Sequence, residues 1–209
     1  NFAICEEYNG SAWTESGDLN SGRRTGAHFG IQTASAYVGG YGAGSPDRLS
    51  NTEEYNGTSW SEVTDVPVDI GANRGAGTQT AGMSVGGNPV PGTVTAAETY
   101  EYDGTNWTDG GDLNQGRDQH GMSGTQTAGL AAAGYIIPSA NIAFTETYDG
   151  SSWTEVADMS SARKGVCSST AGTSVAAFIA GGTTGSVVAT TEEFATDTTS
   201  ASVQSVTSS

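Results

Sequence analysis

The chain is poor in positive charge, and it lacks any long apolar run. Only 7 of its 209 residues are Lys or Arg, against 23 Asp or Glu, which gives a formal net charge of −16. A surface of this sign repels the phosphates of nucleic acids and anionic membranes, so we expect neither as a partner. No apolar stretch approaches the roughly 18 residues that suggest a membrane span. We therefore expect no membrane insertion.

Cysteine and histidine are also scarce, which removes several kinds of site. The two cysteines, Cys5 and Cys167, and the two histidines, His28 and His120, form no cluster with zinc-ligand spacing. No GxSxG, P-loop or dinucleotide motif occurs. We predict no catalytic residue, no metal site and no cofactor, with Ca²⁺ as the alternative that the acidic charge leaves open. The cysteines are expected to be buried thiols, and a disulfide joining the two ends of the chain is the alternative.

What the sequence does contain is a repeat. The motif Tyr-[Asn/Asp]-Gly-x-x-Trp occurs four times, with its tryptophans 46 or 47 residues apart, and Phe194 continues the series without a Trp. Asn-Gly and Asp-Gly favour a tight hairpin turn with both residues at positive φ. Each motif therefore predicts a hairpin with its two aromatic rings packed on one face. The aromatic pairs are Tyr8 and Trp13, Tyr55 and Trp60, Tyr102 and Trp107, and Tyr148 and Trp153.

Two further short strands are predicted in each period. An arginine (Arg24, Arg74, Arg117, Arg163) precedes a segment of small residues that ends at Gly39-Gly40, Gly86-Gly87, Ala133-Gly134 or Gly181-Gly182. No segment shows the 3.6-residue period of a helix. Repeated glutamates before the aromatic residues are expected to pair with these arginines or to face solvent. Arg23 and Arg48 fall outside this alignment and are predicted to lie on a specific surface.

The order of Arg, apolar strand, Gly-Gly, Glu-Tyr-[Asn/Asp] and Trp resembles the kelch repeat. In that family each repeat forms one four-stranded blade of a β-propeller. The resemblance implies an all-β, kelch-type β-propeller with four to five blades of four short antiparallel strands. It covers residues 1–195, with repeats at about 5–51, 52–98, 99–144 and 145–190 and a partial repeat from 191. Residues 196–209 are expected to form a Ser/Thr-rich C-terminal strand or tail.

The closure of the ring has two possible solutions. If the N-terminal strands complete the last blade, the ring has four blades plus spare strands. If another segment or another chain supplies the missing half, it has five. Ala133 in place of a glycine, and Phe194 without its Trp, are the departures from the family pattern.

The segments after the double glycines differ from repeat to repeat, and loops on a rigid scaffold often carry binding specificity. The repeats also resemble those of kelch-like proteins of tailed bacteriophages, which implies a virion or another extracellular assembly. We expect a non-enzymatic module that contacts protein neighbours or host surface glycans. A secreted carbohydrate-active enzyme and a purely architectural fibre or shell subunit are the alternatives. The binding candidates, all expected to be exposed, are Tyr41, Asp47, Arg48, Pro89, Pro91, Tyr135, Ile136 and Pro138.

Overall fold

The protein is an all-β chain of several antiparallel sheets. A computed structural model describes residues 2–44, 47–138, 140–169, 172–197 and 200–206, and it contains no helix over these ranges. The first hairpin joins β1 (Glu6–Tyr8) and β2 (Trp13–Glu15). The first sheet contains β3 (Ala27–Ile31), β4 (Ala34–Val38), β5 (Thr52–Tyr55) and β6 (Trp60–Glu62).

Three more sheets follow along the chain. The second contains β7 (Ile70–Gly71), β8 (Arg74–Thr78), β9 (Ala81–Pro89), β10 (Ala96–Tyr102) and β11 (Trp107–Asp109). The third contains β12 (Gly121–Thr125), β13 (Ala128–Ala132), β16 (Thr145–Tyr148) and β17 (Trp153–Val156), and a small hairpin of β14 (Tyr135–Ile136) and β15 (Ala140–Asn141) interrupts it. The fourth contains β18 (Cys167–Ser168), β19 (Ala176–Ala180), β20 (Thr191–Asp197) and β21 (Ser200–Val206).

Strands within the first, third and fourth sheets lie side by side in chain order, and β8 to β11 do the same in the second, where β7 pairs with the end of β9. Neighbouring strands are antiparallel throughout. Leaving aside the short β7, the first strands of the four sheets are β3, β8, β12 and β18. These four strands contact one another in chain order. The four sheets therefore repeat one arrangement, with the first strand of each beside that of the next.

Each Tyr–Trp hairpin has a four-residue connection, so the two-residue turn expected from Asn-Gly and Asp-Gly was wrong. Tyr8 faces Trp13 across the strand pair, and the other three copies share this register. The glycine has positive φ, 94° at Gly10, but the preceding residue does not. Instead Asn9 Oδ1 accepts hydrogen bonds from the backbone N–H groups of Ser11 and Ala12, both at 3.0 Å. Asn and Asp alternate at this position because both offer that acceptor.

The two aromatic rings of each hairpin pack on one face, as predicted. Their centroids lie 4.8 to 5.2 Å apart in the four copies. Across the junction between the first two sheets, the Phe29 ring packs on Tyr102 and Trp107 at centroid distances of 6.4 and 6.3 Å. That ring leaves no space at Gly82, where a Cβ atom would lie 2.2 Å from it. Glycine in these strands therefore allows the sheets to approach closely.

Tyrosine hydroxyls and glutamine amides connect each sheet to the one before. The tyrosine donates to a glutamate of the preceding unit in three places: Tyr55 to Glu7, Tyr102 to Glu54 at 2.9 Å, and Tyr148 to Glu101 at 2.7 Å. Gln79 Nε2 donates to the carbonyls of Ser35 and Tyr55, and Gln126 repeats this on Gly82 and Tyr102. We call the side of a sheet that meets the preceding sheet its backward face, and the opposite side its forward face.

A buried Arg–Glu ion pair lies within three of the four sheets. The pairs are Arg23–Glu53 at 3.0 Å, Arg117–Glu146, and Arg163–Glu192 at 2.9 Å. The second sheet has Ile70 and Tyr100 at the two equivalent positions. The expected alignment of Arg24 and Arg74 was therefore wrong, because the segments between Trp and arginine differ in length. Arg23 is likewise no surface residue, since it is 5% exposed.

The end of the chain supplies the last strand of the fourth sheet, since β21 pairs with β20 along its whole length. Residues 198, 199 and 207–209 of the predicted C-terminal segment lie outside the described residues. The hairpin β1–β2 forms a two-stranded sheet of its own. The N-terminal strands therefore do not complete the last sheet, and that solution for closure is wrong.

Candidate binding face around the central cavity

The first strands of the four sheets surround a cavity of about 410 Å³. Arg74 of the second sheet lines it, and its Nε donates to the carbonyl of His120 at 3.0 Å. His28 also lines the cavity, and burial lowers the pKa of its imidazole, assisted by the Arg74 charge. The remaining lining residues are Thr25, Gly26, Tyr37, Gly75, Met122, Val166, Cys167 and Ser168.

The expectation of buried cysteines was wrong for Cys167, which is exposed because it lies at this cavity, while Cys5 is half-buried. Both thiols are free, so the alternative of a disulfide joining the two ends of the chain is not observed.

A ring of paired residues lies at one end of the four first strands. Each pair joins the residue after the repeated arginine position to the residue after the double glycine. The pairs are Arg24 with Tyr41, Gly71 with Asn88, Asp118 with Tyr135, and Lys164 with Thr183. The backbone pairing is the same in every sheet, but the side chains differ completely. A constant frame therefore presents four different pairs of side chains.

The loop of the first sheet reaches the second sheet through Arg48. Its Nε donates to the carbonyl of Asn88 at 2.7 Å, and its guanidinium lies 5.1 Å from the centroid of the Tyr41 ring. Tyr41 and Arg48 are half-buried, so the expectation of free exposure was wrong for both. Asp47, next to them in the chain, is exposed. Tyr41 and Arg48 thus connect the two sheets and remain partly exposed.

The loop of the third sheet is held in a similar way. Tyr135 Oη donates to the carbonyl of Pro138 at 2.6 Å, and Lys164 Nζ lies 3.5 Å from the centroid of the Tyr135 ring. Tyr135 and Ile136 are half-buried, and Pro138 is exposed. In the second sheet Pro89 is half-buried and Pro91 is exposed. Expected exposure is therefore met at Asp47, Pro91 and Pro138, and it was wrong for the other five candidates.

Asp118 connects the two loops electrostatically. Burial raises the pKa of its carboxyl, and the charges of Lys164, Arg74 and Arg48 oppose that rise. All seven cationic side chains of the chain are described, and three of them are committed to buried ion pairs with glutamate. The other four, Arg24, Arg48, Arg74 and Lys164, lie at the cavity or its loops. A strongly acidic protein thus concentrates its remaining positive charge on one face.

Sequence reasoning missed Arg24, Asn88, Asp118 and Lys164 as members of this face. The signal was present, because three of the four residues that directly follow the aligned arginine position are charged. The displaced alignment of Arg24 and Arg74 hid that pattern. Of the predicted candidates, Tyr41 and Tyr135 have backbone partners just before the first strands, namely Arg24 and Asp118.

The side chains at this face can bind a ligand. Aromatic rings, amides and positive charges are held on a rigid frame, and they can stack on a ligand and donate hydrogen bonds to it. Within the ranges that the structure covers, no group of three or more His, Cys, Asp or Glu side chains converges as a metal ion would require. No helix in those ranges is long and apolar enough to cross a membrane.

Comparison with known proteins supports the fold only. No family model and no curated protein matches the chain. A solved structure described as "Structure of YjhT" matches with a TM-score of 0.77 at 12% identity, over 97% of this chain and 76% of that chain. It is one of 166 solved chains that match. An architecture this common hosts many functions, so the likeness carries no functional assignment.

Proposed function

We propose that this chain is a kelch-type β-propeller in which each four-stranded sheet is a blade. Three observations support the proposal: the strand order within each sheet, the contact between successive first strands, and the cavity that these strands line. The hairpin β1–β2 carries the Tyr and Trp of a third and fourth strand, so it corresponds to the outer half of a further blade. An experimental structure tests this architecture directly.

On this scaffold we propose a non-enzymatic binding module whose ligand docks on the loops around the cavity mouth. The observation that carries the proposal is the ring of four pairs, in which backbone pairing repeats and side chains do not. A structural ring needs no such variation, whereas a binding site does. The ligands we propose are host surface glycans or protein neighbours in a virion or extracellular assembly. Resemblance of the repeats to phage proteins supports this setting.

A glycan array probed with the labelled chain tests the binding proposal. We expect binding to a defined group of glycans, and we expect Tyr135→Ala to reduce the affinity at least about tenfold, because an aromatic platform at the centre of a site contributes strongly to binding. Lys164→Gln keeps a polar side chain and removes the cation above that ring. This variant should weaken the binding of acidic glycans more than the binding of neutral ones.

The matched control is Ile31→Ala. Ile31 is 67% exposed at the far end of β3, away from the loops. This variant should bind like the unmodified chain, and unchanged melting temperatures should show that all three variants are folded. Absence of binding to every glycan, together with no capture by purified proteins of the native assembly, would contradict the proposal.

A further inference from the structure

Three polar side chains on one wall of the central cavity have hydrogen-bonding capacity that no described residue uses. They are His28 on β3, Tyr37 on β4 and Arg74 on β8, and we call them the polar wall. His28 and Tyr37 face each other in the register of β3 and β4, so both project from the same face of the first sheet. Strand β8 packs against β3 and brings Arg74 to the same cavity. The first two sheets therefore assemble this wall from three separate strands.

Arg74 supplies a cation with one unused nitrogen. Its Nε and Nη1 donate to the carbonyls of His120 and Asn73, at 3.0 and 3.1 Å, whereas its Nη2 donates to no described residue and is accessible. No described carboxylate lies within ion-pair distance of this guanidinium. Arg74 is half-buried, and burial lowers its pKa, although Asp118 and Tyr37 oppose that shift. Because a guanidinium stays charged at neutral pH, this group favours an anion in the cavity.

Tyr37 supplies a hydroxyl whose oxygen is held in place and whose proton is unused. Its Oη accepts a hydrogen bond from the backbone N–H of Gly26 at 3.1 Å, and no described residue accepts its proton. Gly26 makes this contact possible, because a Cβ atom there would lie 2.7 Å from the Tyr37 ring. A hydroxyl that accepts one hydrogen bond can still donate another. Tyr37 therefore offers one O–H donor to a molecule in the cavity.

His28 adds a donor without adding a second full charge. Neither of its ring nitrogens has a hydrogen-bond partner among the described residues, and the side chain is exposed to the cavity. Burial lowers the pKa of its imidazole, and the charge of Arg74 adds to that effect. The imidazole is therefore neutral at neutral pH and offers one N–H group.

The rest of the cavity suits a small organic molecule. Its volume of about 410 Å³ is within the range of sites that hold small ligands. Met122 and Val166 contribute apolar side chains to the lining, so carbon atoms of a ligand also find a surface to pack on. The lining therefore fits a molecule with one anionic end and one apolar end.

We propose that the polar wall binds the carboxylate of a small organic monoanion. Arg74 Nη2, the Tyr37 hydroxyl and an N–H of His28 donate to the carboxylate oxygens, and the carbon part of the ligand packs on Met122 and Val166. One cation matches one negative charge, whereas a dianion leaves a charge uncompensated in a strongly acidic protein. The inference uses none of the loop residues, so it does not depend on the proposed function.

A nuclear magnetic resonance titration of the isotope-labelled chain at constant ionic strength tests the proposal. The probes are butyrate and butyramide, which have the same carbon chain and differ in charge. Butyrate should bind saturably and shift the Nε–H signal of Arg74. Its affinity should exceed that of butyramide at least about tenfold, because a charge-assisted hydrogen bond is lost with the amide. Inorganic phosphate, which is largely a dianion at neutral pH, should bind more weakly than butyrate.

Two variants test the donors separately. Arg74→Gln removes the cation and should weaken butyrate at least about tenfold. Tyr37→Phe keeps the ring and removes the hydroxyl, so the affinity for butyrate should fall about threefold to tenfold, as for the loss of one neutral donor. The matched control is Ile31→Glu, which changes the net charge by the same amount as Arg74→Gln at a residue that is 67% exposed at the far end of β3. It should bind butyrate like the unmodified chain.

Unchanged melting temperatures should show that the variants are folded, and the comparison of butyrate with butyramide needs only the unmodified chain. Equal affinity for these two probes overturns the proposal. So does an affinity for butyrate that is unchanged in both Arg74→Gln and Tyr37→Phe, or tighter binding of phosphate. Absence of glycan binding by the loops leaves all three results as they are, so the two proposals fail separately.

Discussion

Trp153 and Trp13 occupy the same place in the same motif, yet their surroundings are opposite. Trp153 is 5% exposed, and its indole N–H donates to Thr99 Oγ1 at 3.0 Å. Trp13 is 67% exposed, and its ring packs on Tyr8 of the same hairpin. The local sequence therefore determines the hairpin and the ring pair, and the preceding sheet determines whether the pair becomes core. Stability should follow the neighbours of each copy and not the motif itself.

The largest difference in the free energy of unfolding should be that between the variants Trp153→Ala and Trp13→Ala. Trp153→Ala removes a buried ring between the second and third sheets, and we expect a loss of about 3–5 kcal/mol in the free energy of unfolding. Trp13→Ala should change the free energy of unfolding of the monomer by less than about 0.5 kcal/mol, as for other exposed positions. Urea unfolding at low protein concentration measures both.

Trp60 gives an intermediate point in the same series. It is half-buried, and its buried indole nitrogen has no hydrogen-bond partner among the residues that the structure describes. Trp60→Ala should therefore cost less than Trp153→Ala and more than Trp13→Ala. Equal losses at all three positions would show that the hairpin motif, and not its neighbour, sets the stability.

A second contrast separates the second sheet from the third. Arg117 and Glu146 form a buried ion pair, whereas Ile70 and Tyr100 fill the equivalent positions with apolar and aromatic groups. Arg117→Ile alone leaves a buried carboxylate without its cation, and we expect a loss of about 3–5 kcal/mol. The double variant Arg117→Ile, Glu146→Tyr reproduces the second sheet and should recover most of that loss. A double variant no more stable than the single one would contradict this equivalence.

Acidification should lower the free energy of unfolding through the buried imidazole of His120. Burial lowers the pKa of His120 well below its usual value, and the charges of Arg117 and Arg74 add to the effect. Below about pH 6.5 the unfolded chain therefore binds a proton that the folded chain does not, and stability falls as pH falls. We expect a slope of about 1 kcal/mol per pH unit from this group between pH 6.5 and 5. His120→Gln should flatten the measured slope, and an unchanged slope would place its origin elsewhere.

The repeat made most of the fold predictable, because each element follows from local rules. The aromatic hairpins, the absence of helix in the described ranges and the four strands per period were all legible from spacing, glycine and Asx residues. The turn geometry was not, because Asn9 acts through its side-chain oxygen, which a two-residue turn rule ignores. The ion pairs were misassigned because Arg23 and Arg24 are adjacent, and only packing shows which of them points inward.

The binding face was predicted only in part. Loop positions such as Tyr135 and Pro138 stand out because they vary between repeats. Their partners do not stand out, because Lys164 reaches Tyr135 from the start of a strand in the next sheet, at a sequence separation that no short motif records. The exposure of these loop residues could not be predicted from the sequence either, because the half-burial of Tyr41 depends on Arg48 and the neighbouring sheet.

The smallest predicted effect concerns the hydroxyl that joins Tyr148 to Glu101. Burial raises the pKa of Tyr148 to about 12, and the hydrogen bond to Glu101 adds to the rise. The fourth sheet has Phe194 in the place of Tyr148, and the third sheet has Thr147 in the place of Glu101. Neither residue of this equivalent pair can form the tyrosine–glutamate hydrogen bond. Tyr148→Phe should therefore lower the free energy of unfolding by about 1 kcal/mol, because half-buried Glu101 loses the hydrogen bond from this hydroxyl.

Adding Glu101→Thr to that variant should recover part of the loss, because both positions then carry the residue types of Phe194 and Thr147.

Since the folded pKa of Tyr148 is raised, its contribution to stability is complete below about pH 10 and is lost as the pH rises towards 12. Tyr148→Phe should remove that part of the alkaline loss, as ultraviolet absorbance titration and urea unfolding at pH 9 to 11 can measure. Tyr8→Phe, at the exposed copy, should change neither the free energy of unfolding of the monomer nor its loss at alkaline pH. If it does, the open hairpin and the buried junction differ less than their exposures indicate.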